Sequence, residues 1–153
     1  MILDSSAIAA ICLGEPGAEE IQEHLESARD IKISAATMVE AAVVTDARRP
    51  GAFDTFRRTL NPTVIPVDAE QAEFARAAYQ RFGRGSGHPA RLDFGDCFVY
   101  ALARQIDEPV LFTGDDFAHR RRPCDDIGLS YFAMVTLLGA HQALPSTCGT
   151  SRT

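Results

Sequence analysis

A chain of 153 residues, 46% hydrophobic and 24% charged, has the make-up of one soluble globular domain, long enough to bury roughly 70% of its unfolded surface without a disulfide or metal staple. Its formal net charge of −6 excludes a generally basic nucleic-acid coat but leaves room for a local basic rim. No apolar run reaches the roughly 18–20 residues of a membrane span, the acid at position 4 is wrong for a signal peptide, and Cys12, Cys97, Cys124 and Cys148 lack zinc-ligand spacing, so a cytoplasmic protein with reduced thiols is expected.

Met1-Ile2-Leu3-Asp4 reads as a short buried strand whose end meets a helix start. Ser5 or Ser6 caps a helix over 6–13 that Gly14 stops, and Pro16 opens a second helix to about Ala28. Residues 31–34 form another strand. A helix over 35–48 follows, with Met38, Val39, Ala42 and Val43 predicted inward, then a helix over 52–60 with Phe53, Phe56 and Leu60 on one face. Val64-Ile65-Pro66-Val67 reads as a strand, placed at a sheet edge by its proline. Asp68 caps a helix to about Phe82, with Ala72, Ala75 and Tyr79 on its stripe. The loop 83–91 is rich in glycine and cations, residues 93–106 form an acid-opened helix, and 109–113 a buried strand. Alternating strands and helices predict a mainly parallel α/β sheet. After Phe117 comes the charged HRRRPCDD, an apolar stretch suited to a strand or short helix, and a tail of disordered composition from residue 142.

The informative feature is where the acids fall. Asp4 ends the first strand, and Asp115 and Asp116 follow the strand 110–113; carboxyl ends of parallel strands line the crevice where ligands bind. Asp96 lies in the first turn of its helix, one turn after Asp93, and Glu40 interrupts an apolar helix face. Singly, each has an ordinary alternative: Asp4 as a helix cap, Asp96 as a dipole residue, Asp115 or Asp116 as a turn residue, Glu40 on a solvated face. Together they would repel one another unless a cation joined them, and an all-oxygen set suits Mg²⁺ or Mn²⁺.

The strand-final D-S-S-A at 4–7, Glu40, L-D-F-G-D at 92–96 and T-G-D-D-F at 113–117 resemble the PIN-domain ribonucleases, most of all the VapC-type toxins of bacterial toxin–antitoxin pairs. The resemblance is strongest over 1–119. It implies a three-layer α/β/α sandwich over residues 1–141 and a Mg²⁺- or Mn²⁺-dependent endoribonuclease, held inactive by a cognate antitoxin and assembled as a homodimer. By position, Asp4, Glu40, Asp96 and Asp115 match the family's acidic quartet, with Asp116 as the alternative fourth acid. Ser5, Ser6 and Thr113 match its small hydroxyl positions, and Asp93 is a supporting acid. The sequence departs from the family pattern after Phe117, where Arg120-Arg121-Arg122 stand.

The expected reaction is in-line attack of water on an RNA phosphodiester, with a metal on Asp4 and Asp96 and its water shell held by Glu40 and Asp115. Arg84, Arg91 and Arg120, with His88, Arg48 and Arg49, are candidates for a basic rim that binds RNA. Phe94, Phe98 and Tyr100 read as core rather than stacking platforms, and His88 as a solvent-exposed loop residue. Two competing readings remain at this level. One is a non-catalytic α/β interaction module, which leaves Glu40 unexplained. The other is a metal-dependent phosphatase, whose D-x-D pair is missing because position 6 is Ser.

Overall fold

The structure, a computed structural model, describes residues 1–88, 90–113 and 132–135; Asp115, Asp116, Arg120 and the predicted tail from 142 lie outside the described residues. In chain order the elements are β1 (Ile2–Leu3), α1 (Ser5–Leu13), α2 (Ala18–Ser27), β2 (Lys32–Ser34), α3 (Ala35–Arg48), α4 (Ala52–Leu60), β3 (Thr63–Ile65), α5 (Ala69–Phe82), α6 (Phe94–Ile106), β4 (Val110–Thr113) and β5 (Phe132–Val135). The strands form one sheet in the order β3-β2-β1-β4-β5, and every pairing is parallel. The β3 edge position agrees with the proline expectation, and Pro66 falls just past the strand.

Side chains alternate across a strand, and here the alternation splits the core in two. Ile2, Val110 and Phe112 pack with α5 and α6 residues such as Ala75, Ala78, Phe82, Tyr100 and Leu102. Leu3, Ile33 and Leu111 pack with Ile8, Ile21, Leu25, Ala41, Phe53 and Phe56 of α1–α4. Both faces are therefore covered, which gives the three layers that a buried parallel sheet requires. Among the described residues no helix is long and apolar enough to cross a membrane.

The chain runs β1, β2, β3 toward one edge, then returns to place β4 on the other side of β1. The reversal between β1 and β4 is the topological switch point, where the carboxyl-end crevice of an open α/β sheet lies. Asp4 emerges at this crevice. Its own N–H donates to the Leu111 carbonyl (3.0 Å), so the chain leaves the sheet while still held by β4.

Several predicted faces are corrected. Val39 and Val43 are 58% and 66% exposed, and the inner stripe of α3 is instead Thr37, Ala41 and Thr45. This stripe has the i, i+4, i+8 spacing of one helix face. Its small residues suit a helix that packs against both α1 and α6, and the Thr45 hydroxyl donates to the Ala41 carbonyl. On α5 the inner stripe is Gln71, Ala75, Ala78 and Phe82, whereas Ala72 is exposed and Tyr79 is 46% exposed. Phe94 is 75% exposed rather than core, while Tyr100 is buried and Phe98 partly buried as expected. Pro16 lies ahead of α2, whose N-cap is Gly17.

Candidate metal and active site

Asp4 has two roles at once. Its carboxylate caps α1 by accepting the Ser6 N–H (2.9 Å), and it also accepts the Ser6 hydroxyl. That hydroxyl oxygen in turn accepts the Thr113 N–H (3.0 Å) at the end of β4. Ser6 thus ties the ends of the two central strands together through the acid. The ordinary alternative of a cap and the functional role are not exclusive: capping fixes the orientation of the carboxylate. Only 5% of Asp4 is exposed, and this desolvation pushes its carboxyl above the ordinary value, against the lowering effect of the Ser6 hydrogen bonds and with the help of the Asp93 charge.

Glu40 comes from the middle of α3 and is half-buried. Burial, the Asp4 charge and the Asp93 charge raise its carboxyl in that order, while a hydrogen bond with the Ser5 side chain pulls it down. Its Oε2 is buried with no hydrogen-bond partner among the described residues. The carboxyl lies against Gly95 in the first turn of α6.

That turn is held by a reciprocal capping box. Asp93 Oδ1 accepts the Asp96 N–H (3.0 Å) and Asp96 Oδ2 accepts the Asp93 N–H (2.8 Å). Both acids sit at the positive end of α6. Cys97, one residue on, has its Sγ 3.1 Å from the Asp93 carbonyl oxygen, and burial followed by the Asp96 and Asp93 charges pushes its thiol up to about 12, which makes it inert packing.

The structure therefore brings Asp4, Glu40 and Asp93 within electrostatic reach, with Asp96 in the same helical turn as Gly95. Among the described residues no three His, Cys, Asp or Glu side chains form a ready metal-ligand cluster. Asp115 and Asp116 lie outside the described residues. Thr113 enters through its backbone N–H on Ser6.

Of the basic-rim candidates, Arg84 pairs with an acid of this turn, its guanidinium 3.6 Å from Asp93. Arg91 is exposed, in a left-handed conformation (φ 42°). Their loop is pinned at its neck: Arg84 N–H donates to the Leu92 carbonyl (3.0 Å) and Leu92 N–H to the Phe82 carbonyl (2.9 Å). Gly85 and Gly87 take left-handed turns in it that favour glycine. His88 is half-buried, edge-on to Phe82 with centroids 4.9 Å apart, rather than solvent-exposed. Arg48 and Arg49 are drawn to the other end of α1, where they meet Glu15 (2.8 Å) and the Cys12 carbonyl (3.3 Å). A nine-residue helix places that end about 13 Å from Asp4, so these two arginines do not rim the acids.

The amino ends of the same strands, opposite the crevice, show how the fold treats acids it means to neutralise. Glu108 is met there by Lys32 and by the Met1 amine, each at 2.6 Å. Asp4 and Glu40 have no such cation among the described residues. Desolvated carboxylates, one oxygen without a partner and an all-oxygen donor set fit a hard divalent cation.

A fully parallel α/β/α sandwich with a buried acid at its switch point defines the class, an open parallel α/β sheet with an acidic crevice. Comparison with known proteins narrows it. The PIN-domain family model matches residues 1–123. Over 123 residues the chain is 47% identical to ribonuclease VapC42 and 46% to ribonuclease VapC28, both of Mycobacterium tuberculosis. These alignments cover 78% of this chain and 94% and 92% of the relatives. Two solved structures share the fold. A toxin–antitoxin complex from Klebsiella pneumoniae has TM-score 0.58 and 20% identity, covering 76% of this chain and 89% of that one. FitAB bound to the IR36 DNA fragment has TM-score 0.58 and 17% identity, covering 93% and 100%. The chain belongs to the PIN-domain family, among its VapC ribonucleases. That membership displaces the interaction-module and phosphatase readings.

Proposed function

We propose that this protein is the toxin of a toxin–antitoxin pair, an endoribonuclease that hydrolyses RNA phosphodiester bonds with the aid of Mg²⁺ or Mn²⁺. One observation supports it above the others. Asp4 and Glu40, desolvated and without a cation among the described residues, sit at the switch-point crevice of a VapC-type PIN domain.

Asp4 and Asp96 would hold the cation, and Glu40 would support them. Such a cation supplies charge neutralisation at the scissile phosphate and an acidified water. The chain's own residues do the rest. Ser6 orients Asp4 from one side and is fixed by Thr113 from the other. The capping box holds Asp96 rigidly to its helix start. Arg84, beside Asp93, places positive charge where an RNA backbone needs it, and the exposed Arg91 is proposed to add to it. By the match of sequence alone, Asp115 or Asp116 is proposed as the fourth acid and Arg120 as a further RNA-binding cation. The test is cleavage of a structured RNA by the purified protein. Cleavage is expected with Mg²⁺ or Mn²⁺, abolition with EDTA, and suppression on adding the cognate antitoxin. RNA that stays intact under all metal conditions would overturn the reading.

The protein is also proposed to act as a homodimer in the cytoplasm. Val39, Val43 and Val44 are 58%, 66% and 42% exposed along α3, and contiguous exposed apolar surface marks protein contacts. Val43→Glu is expected to shift the molecular mass measured by light scattering from dimer to monomer. A wild type already monomeric at high concentration would contradict this.

A further inference from the structure

We propose that Gly95 is a positioning residue for Glu40: the absence of a side chain there is what allows the Glu40 carboxylate to lie against the first turn of α6. An ideal Cβ built on Gly95 would stand 2.6 Å from Glu40 Cδ, with both carboxylate oxygens closer still. Real Cβ atoms do not approach other heavy atoms so closely, so an alanine at 95 displaces the carboxylate. The backbone gives no competing reason for glycine. Gly95 is the second residue of α6 and is not among the glycines with positive φ. Alanine is the better helix former at such a position. The sequence thus retains a poor helix former at the one place where a β-carbon would occupy the space Glu40 uses.

The consequence is directional. Glu40 comes from α3 and Asp96 from α6, and Gly95 sets how near the two elements bring their acids. The proposal rests on the reading of Glu40 as a site residue, so its test separates the two. The first part uses metal-free protein and no RNA. Gly95→Ala pushes the flexible Glu40 carboxylate aside, so with Glu40 present it is expected to lower Tm slightly, by about 1–2 °C. With Glu40→Ala in place, the same change should be neutral or raise Tm by up to about 3 °C, the propensity gain with nothing left to collide with. The second part measures cleavage. Gly95→Ala should reduce kcat by about 10- to 100-fold, the scale of lost metal-site support, with KM for RNA little changed. Adding Glu40→Asp, one methylene shorter, should restore part of that loss in the Gly95→Ala protein.

An equal Tm loss in both Glu40 backgrounds would overturn the proposal, because glycine would then be required by the backbone itself. Unchanged Tm and unchanged kcat in Gly95→Ala would overturn it as well. If the stability coupling holds but the wild type cleaves no RNA, the positioning stands and the ribonuclease reading falls. If the wild type cleaves and the coupling is absent, the reverse follows.

Discussion

Asp4→Asn is expected to reduce RNA cleavage by at least about 10²-fold while leaving the metal-free protein folded and no less stable. Asparagine has the same size and ranks with aspartate as a helix N-cap, so it keeps an acceptor for the Ser6 N–H and hydroxyl. What it removes is the negative charge. Loss of residues that only support a metal site costs about 10–100-fold, and a direct ligand should cost at least as much. The same change predicts a pH signature. Burial raises the Asp4 carboxyl above 3.8 in the folded state. The stabilising contribution of the protonated acid is therefore fully present below pH 3.8 and is lost as pH rises through the higher folded value. Glu40, raised above 4.5, acts in the same sense. Asp30, held down by its hydrogen bond from Lys32, and Asp68, held down first by the Gln71 N–H, act in the opposite sense at the exposed surface. The difference between wild type and variant isolates Asp4. In EDTA, the Tm of Asp4→Asn should gain on wild type as pH rises above about 4. Parallel pH curves would mean that Asp4 is not charged at a cost in the fold.

Leu102→Ala is expected to cost about 2–5 kcal/mol, the range for a fully buried leucine. Leu102 has no exposed surface and lies in the layer where α6 meets Ile2, Val110 and Phe112. Against a total stability of about 5–15 kcal/mol, that is a large share. Urea denaturation should show a lower midpoint with an unchanged slope. Cleavage per folded molecule should be preserved, because Leu102 lies about 1.7 helical turns past Asp96 and packs with the sheet residues Ile2, Val110 and Phe112 rather than the acids. A cost below about 1 kcal/mol would contradict the assignment of α6 as one wall of the core.

Much of this architecture is legible in the sequence because it depends on local signals. Short apolar runs ending in Asp4 and Thr113, helices begun by Asp68 and Asp93, and a proline at the edge strand all act within a few residues. What is not legible depends on which neighbour a face meets. Val39 and Val43 satisfy an apolar pattern, yet α3 turns Thr37, Ala41 and Thr45 toward α1 and α6, where bulk would hold the helices apart. Gln71 is buried on α5 because its amide finds the Pro66 carbonyl and the Gln105 side chain, a pairing across 34 residues that no periodicity reveals. The candidate site divides in the same way. Asp4 and Asp96 are visible from strand-end and helix-start placement. The Ser6 bridge to Thr113 and the seat of Glu40 on Gly95 exist only once α1, β4, α3 and α6 are assembled. A glycine at the second position of a helix is the one local clue to the latter.

The most direct test of the central claim is an anomalous difference map from crystals of this protein soaked in Mn²⁺. A peak is expected between the Asp4 and Asp96 carboxylates, in direct contact with their oxygens, with Glu40 on its border. A peak elsewhere, or none at saturating Mn²⁺, would contradict the claim.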